Sequence, residues 1–334
     1  MERIAIIGLG LIGGSIGLAL KAAGLKDMEI AGTARTRETL QTAKKRGAID
    51  RAEHTPADAV RDARLVIVAT PIMRTKEIFE EIAPALSPGA VVTDAGSTKG
   101  DVMRWARDIL PPTAFFVGGH PMAGKEQTGI DAAEAGLFRD KPWVVVPSLD
   151  APEPAVRTVI GLAQACGAAP RYMDADEHDS YVAAISHLPL VVASALFSVV
   201  FDSQAWPEMA SLASSGFRDT TRLASGSAEM AHDIMATNRE NVLHWLDRFQ
   251  QQLDGYRRLI AGDDAASMRH AFERAALERD NYMLNGPPRR EPSGPAVERV
   301  SFSEILLGSW AAGQFRRQQE LLRDAESRAE KDRR

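Results

Sequence analysis

The sequence predicts an α/β fold in which a doubly wound, mostly parallel sheet is followed by an all-α helical domain. Three observations support this. A glycine-rich turn follows an apolar strand at the start of the chain, and short apolar strands then alternate with helical stretches up to about residue 173. From about residue 174 the pattern changes to long helical stretches. Strands alternating with helices imply right-handed crossovers and parallel pairing, so the first part is Rossmann-like.

The composition is that of an ordinary soluble protein. The chain has 334 residues, of which 45% are hydrophobic and 25% charged, with a net charge of −5. That length is enough for two domains, and the negative charge argues against nucleic acid as a main partner. The single cysteine, Cys166, excludes an internal disulfide and suits a reducing cytoplasm. We interpret it as buried apolar filler at a helix end and predict no metal site.

The opening strand and turn fit a dinucleotide-binding fingerprint. Residues 3–7 are an apolar, partly β-branched run, and the three glycines that follow have G-x-G-x-x-G spacing. The first makes a tight turn, the second lets the backbone approach a pyrophosphate, and the third allows close helix–strand packing. The pyrophosphate then lies at a helix N-terminus, where unpaired N–H groups favour an anion. The predicted cofactor contacts here are Gly8, Gly10, Leu11, Ile12 and Gly13.

The same stretch has a rival interpretation as a signal peptide or membrane span, because residues 4–20 carry no charge. The run is short for a span, and its glycines stand at fingerprint spacing. A small-residue cleavage pattern is missing, and a second strand follows at once. The sequence therefore predicts nucleotide binding here and no membrane association.

The following elements extend the alternation. Strands are predicted at 29–32, 65–69, 90–93, 115–117 and 143–146, and helices at 37–46, 75–86 and 101–109. Ligands in such a sheet bind at the carboxyl ends of the strands. Thr70, Ser97 and His120 follow three of these strands, so we expect them at the ligand edge.

The second part of the chain is predicted to be helical. Residues 176–201 form a long, largely apolar stretch with a kink or break expected at Pro189, and further helices are predicted at 232–259 and 265–283. The predicted domains are a dinucleotide-binding domain at 1–173 and a helical substrate and dimerisation domain at 174–285. Residues 286–334 are predicted to be a linker and a polar tail, which we interpret as an appended amphipathic helix.

The residues after the second predicted strand indicate the cofactor. NAD-binding versions of this fold place an acidic residue there, on the ribose 2′-hydroxyl. Here Ala34 stands at that position and is followed by Arg35, Thr36 and Arg37. A guanidinium with hydroxyl neighbours suits a 2′-phosphate, although a solvated basic helix start would look the same. The sequence favours NADP over NAD, with contacts from Arg35 and Thr36.

A histidine supplies the candidate chemistry. His120 follows two glycines at the predicted end of a strand, where a neutral imidazole beside a nicotinamide can act as general base for an alcohol. A lone histidine is usually structural, but the ligand edge of the sheet favours function. Ser97 lies in the loop at 94–100 that follows the preceding strand.

Taken together, these motifs resemble the prephenate and arogenate dehydrogenases of tyrosine biosynthesis. The resemblance covers residues 1–285, in family order. The matching segments are the opening fingerprint, VATP at 68–71, DAGSTKG at 94–100, GHPMAG at 119–124, SHLP at 186–189 and GFRDTTR at 216–222.

The resemblance implies an oxidative decarboxylation that moves a hydride from the substrate ring to a nicotinamide. It implies that His120 takes the proton of the ring hydroxyl and that Ser97 orients the histidine and the nicotinamide. Arg222 is expected to pair with a substrate carboxylate, and the helical domain to form a homodimer. Other implied contacts are His187, Lys125 and Glu126 with the substrate, and Thr70 and Pro71 with the cofactor.

Two questions stay open at this point. Some family members have a histidine after Ser-His-Leu-Pro where this chain has Leu190, so the choice between prephenate and arogenate is unsettled, with a lean to NADP-using arogenate enzymes. Another β-hydroxyacid-type dehydrogenase is a second reading, although residues 176–201 lack the lysine which that group uses. A redox sensor that binds the nucleotide without turnover is a third.

Overall fold

The computed structural model describes residues 2–25 and 27–287, and within them eight strands form one sheet. The strands are β1 (Glu2–Ile7), β2 (Met28–Thr33), β3 (Arg51–Ala52), β4 (Ala63–Val68), β5 (Val91–Asp94), β6 (Phe115–Pro121), β7 (Pro142–Pro147) and β8 (Ala169–Tyr172). Their order in the sheet is β3-β2-β1-β4-β5-β6-β7-β8. The helices between them are α1 (Leu11–Ala22), α2 (Arg37–Lys45), α3 (Pro56–Val60), α4 (Ile72–Ile82), α5 (Gly100–Ile109) and α6 (Glu153–Ala165).

The sheet is doubly wound, as predicted. β1 pairs in parallel with β2 on one side and with β4 on the other, so the strand order reverses beside β1. Ligands bind at such a reversal, outside the carboxyl ends of the strands. One pairing is antiparallel, that of β6 with β7. The predicted mostly parallel sheet is confirmed.

Alternating strand residues build two apolar cores, one on each face of the sheet. In β1, Ile4 and Ile6 belong to one buried cluster, and Ala5 and Ile7 belong to the other. Successive side chains of a strand point to opposite faces, and helices cover both faces, so β1 is apolar at every position from Ile4 to Ile7. This rigid layer fixes the carboxyl ends of the strands.

The second half of the described chain is helical. Its helices are α7 (Ala175–Val182), α8 (Leu188–Phe201), α9 (Trp206–Leu212), α10 (Ser215–Thr221), α11 (Ala228–Thr237), α12 (Arg239–Ala261) and α13 (Ala265–Asn285). α7 continues through a π-helical turn, Ala183–His187, into α8. The expected kink or break at Pro189 is wrong in form, because Pro189 lies in the first turn of α8, where its missing N–H is tolerated. The irregularity is the π turn before it.

Other differences come from short or locally interrupted elements. The single helix predicted at 232–259 is two helices, which meet at Asn238. α6 and β8 were not predicted. Cys166 caps the C-terminus of α6 and is buried, and this burial raises the pKa of its thiol, in keeping with a packing role. The predicted domain boundaries remain a prediction, and the predicted linker and tail lie outside the described residues apart from 286 and 287.

The helix Ala175–Phe201 is long and apolar enough to cross a membrane by length and composition, with a mean hydropathy of 2.0 in its most apolar part. Little of that part is buried within one chain. Ile185 and Val199, for example, are each 69% exposed. An apolar surface of this kind marks either a membrane contact or an interface with another protein chain.

Candidate active site

The glycine-rich turn after β1 has the geometry that its sequence predicts. Gly8 has φ +94°, and a Cβ there would lie 2.5 Å from the carbonyl oxygen of Ala69. A Cβ on Gly13 would lie 1.9 Å from the carbonyl oxygen of Gly8. The tight turn and the close packing therefore both require glycine.

Gly10 has a different environment, because a Cβ there would meet nothing within 4 Å. It is the N-cap of α1, and no side chain caps this end of the Leu11–Ala22 helix or places an acidic group in its first turn. The N–H groups of that first turn, which includes Leu11 and Ile12, are consequently free to receive an anion. The cradle fits the pyrophosphate of a dinucleotide.

Two more predicted cofactor residues lie beside this cradle. Thr70 follows β4, and its Cγ2 lies so close to Gly8 that a Cβ added there would be 3.1 Å away. Its hydroxyl is buried without a hydrogen-bond partner in the described part of the chain. Pro71 is the N-cap of α4. A buried hydroxyl without a partner at a ligand edge is suited to a polar group of the ligand.

The predicted 2′-phosphate contacts lie at the start of α2. Arg35, Thr36 and Arg37 are exposed, and Thr36 caps α2 by accepting a hydrogen bond from the backbone N–H of Thr39 at 3.2 Å. Neither arginine forms an ion pair within residues 2–25 and 27–287. The guanidinium groups are therefore available to an anionic ligand.

His120 lies in strand β6 rather than on the loop that was predicted. The strand continues to Pro121, and His120 pairs with Val144 of the antiparallel neighbour β7. The strand was predicted to end at residue 117, because glycines at 118 and 119 interrupt its apolar pattern. The imidazole is half-buried, and the regular strand holds its backbone more firmly than a loop would.

A chain of hydrogen bonds runs from His120 into the helical half. The His120 Nδ1 lies 2.8 Å from the Nε2 of His178, and the His178 Nδ1 lies 2.7 Å from Oδ1 of Asp179. The Asp179 carboxylate also accepts the backbone N–H groups of Lys99 and Gly100, each at 2.8 Å. His178 is fully buried and Asp179 nearly so.

The surroundings of His120 keep its imidazole neutral. Burial lowers the pKa of His120 well below its usual value, and the positive charge of Lys99 acts in the same direction. A histidine whose pKa is lowered is unprotonated at neutral pH. His120 is therefore in the form that a general base requires.

The loop between β5 and α5 is held by a buried ion pair between Lys99 and Asp94. The Asp94 carboxylate also accepts the backbone N–H groups of Gly96 at 2.8 Å and Gly119 at 3.0 Å, which ties this loop to β6. Ser97 lies in the loop and is half-buried. The Nδ1 of His120 is bonded to His178, so the orienting role expected of Ser97 stays a prediction.

His187 lies in the π turn and is buried. Its Nδ1 lies 3.2 Å from the amide nitrogen of Asn238, whereas its Nε2 has no partner among the described residues. Burial lowers the pKa of His187 to about 4, although the charge of Asp179 opposes the shift. A neutral imidazole with an unpartnered Nε2 suits the pocket-lining position that was predicted.

The predicted substrate residues do not all come together. Arg222 begins a 3₁₀ turn, Arg222–Ser225, and forms an ion pair with Glu126, which lies six residues after His120. The two side chains, with Arg218 and Thr221, border a cavity of about 320 Å³. Lys125 is instead paired with Glu134 at 2.7 Å. The structure thus joins Arg222 to Glu126 and directs Lys125 elsewhere.

Two family models match most of the chain. The model described as "Prephenate dehydrogenase, nucleotide-binding domain" matches residues 16–171. The model described as "Prephenate dehydrogenase, dimerization domain" matches residues 174–274. The chain belongs to the prephenate dehydrogenase family.

Individual relatives extend the family match. The chain is 35% identical to prephenate dehydrogenase from Bacillus subtilis over 285 residues, which are 85% of this chain and 76% of that protein. A Synechocystis arogenate dehydrogenase structure has a TM-score of 0.72, 30% identity, and coverage of 84% of this chain and 100% of its own. The Aquifex aeolicus prephenate dehydrogenase in complex with hydroxyphenyl propionate and NAD+ has a TM-score of 0.78, 28% identity, and coverage of 84% and 98%.

Membership of this family settles several general points. The chain is an NAD(P)-dependent dehydrogenase that binds a nicotinamide cofactor through its Rossmann-like half and acts on a small molecule. Its helical half is the family's dimerization domain, and the chain forms a homodimer. The family's dimerization-domain match spans α8, where exposed apolar side chains lie.

Three polar residues near His120 were missed in the sequence: His178, Asp179 and Asn238. Asn238 donates a hydrogen bond to the backbone carbonyl of Asp179 at 2.7 Å, in addition to its contact with His187. The available signal was the adjacent His-Asp pair near the start of a long apolar helix. Burial of such a pair requires hydrogen-bond partners, and those partners come from distant parts of the chain.

Proposed function

We propose that the chain catalyses the NAD(P)-dependent oxidative decarboxylation of prephenate or arogenate, as a cytoplasmic enzyme of tyrosine biosynthesis. The observation that carries this proposal is His120. Its neutral imidazole lies at the carboxyl end of the sheet, in the same half as the glycine cradle, and the loop after it leads to the Arg222–Glu126 pair. A general base, a nicotinamide site and a carboxylate-binding arginine are the parts this reaction needs.

In the proposed reaction His120 accepts the proton of the ring hydroxyl at Nε2, since its Nδ1 is engaged by His178. The carbon that bears the hydroxyl loses a hydride, which the nicotinamide accepts when bound. The ring carboxylate leaves as carbon dioxide, and its bonding electron pair enters the ring, which becomes an aromatic phenolate. The phenolate oxygen then takes the proton back from His120, which returns the base to its neutral form. His120 lowers the barrier because hydride loss and proton loss from the same alcohol are coupled.

Arg222 is the proposed partner of a substrate carboxylate, most favourably the ring carboxylate. Its side chain is 55% exposed and that of Glu126 is 61% exposed, so their ion pair contributes little stability. Exchange of the Glu126 carboxylate for a substrate carboxylate therefore costs little. A bidentate guanidinium–carboxylate contact would also orient the ring.

We propose NADP as the preferred cofactor. The support is the exposed, unpaired Arg35 beside Thr36, in a chain with Ala34 where an NAD enzyme carries an acid. Gly8, Gly10 and Gly13 would surround the pyrophosphate, with Thr70 and Pro71 along the same edge. Ser97 would lie next to the nicotinamide on the loop that Asp94 and Lys99 hold.

For the substrate, we propose that arogenate is preferred over prephenate. Leu190, in the first turn of α8, replaces the histidine with which some family members are expected to reach the substrate side chain. An apolar side chain offers no donor for the keto-acid group of prephenate.

A two-by-two assay of prephenate and arogenate with NAD and NADP tests the proposal. Purified full-length protein should reduce the nicotinamide and release carbon dioxide in equal amounts, fastest with arogenate and NADP. Absence of turnover in all four combinations, with the nucleotide still bound, would support a redox sensor instead. Reduction without carbon dioxide release would support another β-hydroxyacid-type dehydrogenase.

A further inference from the structure

We infer that His178 and Asp179 are positioning residues that fix the tautomer of His120, so that its Nε2 carries the lone pair facing the substrate. This inference rests on the proposed role of His120 as general base. It goes further because it assigns a task to two buried side chains that the proposed reaction does not otherwise use.

The proton positions in the series His120–His178–Asp179 can be assigned by starting from Asp179. The Asp179 carboxylate accepts two backbone N–H groups, from Lys99 and Gly100 at the start of α5. An ionised carboxylate can only accept hydrogen bonds. His178 must therefore donate its Nδ1 proton to Asp179 across the 2.7 Å contact.

The rest of the chain of bonds is then determined. A neutral His178 with its proton on Nδ1 has a lone pair on Nε2. That Nε2 lies 2.8 Å from the His120 Nδ1, so His120 donates there. The His120 Nε2 is consequently unprotonated, which is the form able to take a proton from an alcohol.

This arrangement has a catalytic benefit. A free neutral histidine distributes its proton between both nitrogens, and only one tautomer would be a base towards the substrate. The arrangement also remains hydrogen-bonded after His120 has accepted a proton, since Nδ1 still donates to His178. The other charged or titratable groups that face His120 are Lys99 from the start of α5 and His187 from the π turn, and neither is hydrogen-bonded to it.

The bonds also connect the two halves of the chain. His120 belongs to β6, whereas His178 and Asp179 belong to α7, and Asp179 returns to the first half by binding the start of α5. Docking of α7 on the sheet therefore sets the tautomer of the base. An isolated nucleotide-binding half would contain His120 without this control.

A matched pair of substitutions tests the inference. His178→Leu fills the space without a hydrogen-bond acceptor, whereas His178→Gln keeps a carbonyl oxygen that His120 can donate to. We expect His178→Leu to lower kcat about ten- to a hundredfold while KM changes little, because His120 becomes charged as it accepts the proton and then loses one charge-assisted hydrogen bond. His178→Gln should recover most of the loss. Thr237→Val is the control, because it removes a different hydrogen bond between the halves, the 2.8 Å contact with Thr98.

A second measurement does not depend on turnover. In full-length protein with ¹⁵N-labelled histidine, the ring nitrogen shifts should show His120 protonated at Nδ1 in the wild type and in His178→Gln. His178→Leu should show a mixture of both tautomers. His120→Asn and the His178 variants assign the signals, and thermal unfolding confirms that each variant is folded.

The outcomes separate this inference from the proposed function. A wild type without activity on either substrate would overturn the proposed function, yet the ¹⁵N shifts would still test the tautomer. A wild-type His120 protonated at Nε2 would overturn the inference. The same holds if His178→Leu keeps wild-type kcat, or if His178→Gln is no more active than His178→Leu.

Discussion

The two halves of the chain differ in how completely they bury their apolar side chains within one chain. The nucleotide-binding half has two apolar cores that its own strands and helices close almost completely, with Ile234 of α11 joining one of them. Ile4, Val66 and Val92 there are fully buried. The helical half has few buried apolar side chains of its own, and Leu212 and Leu284 are each 83% exposed. The first half is complete as one chain, whereas the second requires a partner surface.

This difference bears directly on the active site. The base lies on the complete half, but its hydrogen-bond partners and Arg222 come from the half that dimerises. Besides the His120–His178 and Arg222–Glu126 contacts, the halves are joined by Thr98 with Thr237 at 2.8 Å, the Met73 backbone N–H with Asp233 at 3.1 Å, and Asp179 with the start of α5. Activity should therefore depend on dimerisation although nucleotide binding does not.

The largest loss of turnover is expected from a substitution in the nucleotide-binding half. His120→Asn keeps a hydrogen-bonding group but cannot accept the proton, so turnover should fall by roughly 10²–10⁴, the usual contribution of a general base. Cofactor and substrate affinity should stay close to those of the wild type in steady-state kinetics and nucleotide titration. Near-normal turnover would make His120 a structural residue.

A charge on the exposed apolar surface of α8 tests whether the helical half needs a partner chain. Val199 is 69% exposed in one chain, and we expect it to be covered by the partner. Val199→Asp should raise the dimer dissociation constant at least about a hundredfold, because an unpaired buried charge costs several kcal/mol. Light scattering after size exclusion should show a monomer that retains nucleotide binding and loses most dehydrogenase activity.

Leu149→Asp is the matched control. Leu149 is fully exposed in the nucleotide-binding half, between β7 and α6, so the same chemical change should leave both mass and activity unaltered. If both variants stay dimeric, α8 does not form the interface.

Arg222→Ala should raise the KM for the cyclohexadienyl substrate about ten- to a hundredfold, because a charge-assisted hydrogen bond contributes roughly 1.5–3 kcal/mol. Cofactor affinity should be unchanged. Arg222→Lys should recover little if the contact is bidentate. Arg218 borders the same cavity, and Arg218→Ala is the comparison. A raised KM in that variant alone would move the carboxylate site to Arg218.

The smallest expected change is in cofactor choice. Arg35→Ala should weaken NADP binding about tenfold and leave NAD binding almost unchanged, because we propose that the exposed guanidinium binds only the 2′-phosphate. Arg157→Ala, at an exposed position on α6, controls for loss of positive charge. Equal losses for both cofactors would refute the interpretation of the 34–37 segment.

The same contrast between the halves explains what the sequence could predict. Strand periodicity and glycine spacing are local signals, so the mostly parallel sheet, apart from β3 and β8, and the tight turn at Gly8 were predicted correctly. The helical half follows from long-range packing, so the π turn before Pro189 and the division at Asn238 were not predicted.

The candidate active site likewise contains residues that local sequence signals reveal and residues that only long-range contacts reveal. His120 was identified from its neighbours in the sequence, although its place inside β6 was not. His178 and Asp179 gain their importance from contacts with residues 58 and about 80 positions away. Local sequence patterns do not predict contacts between residues so far apart in the chain.

The pH dependence of kcat/KM shows whether a neutral His120 is the base. Burial lowers the pKa of His120 well below 6.5, so the base is already unprotonated through the neutral range. We predict that kcat/KM rises with pH through one ionisation clearly below 6.5 and is level from there through neutral pH, and that His120→Asn lacks this rise. A rise centred at or above 6.5, or one that persists in His120→Asn, would contradict the account.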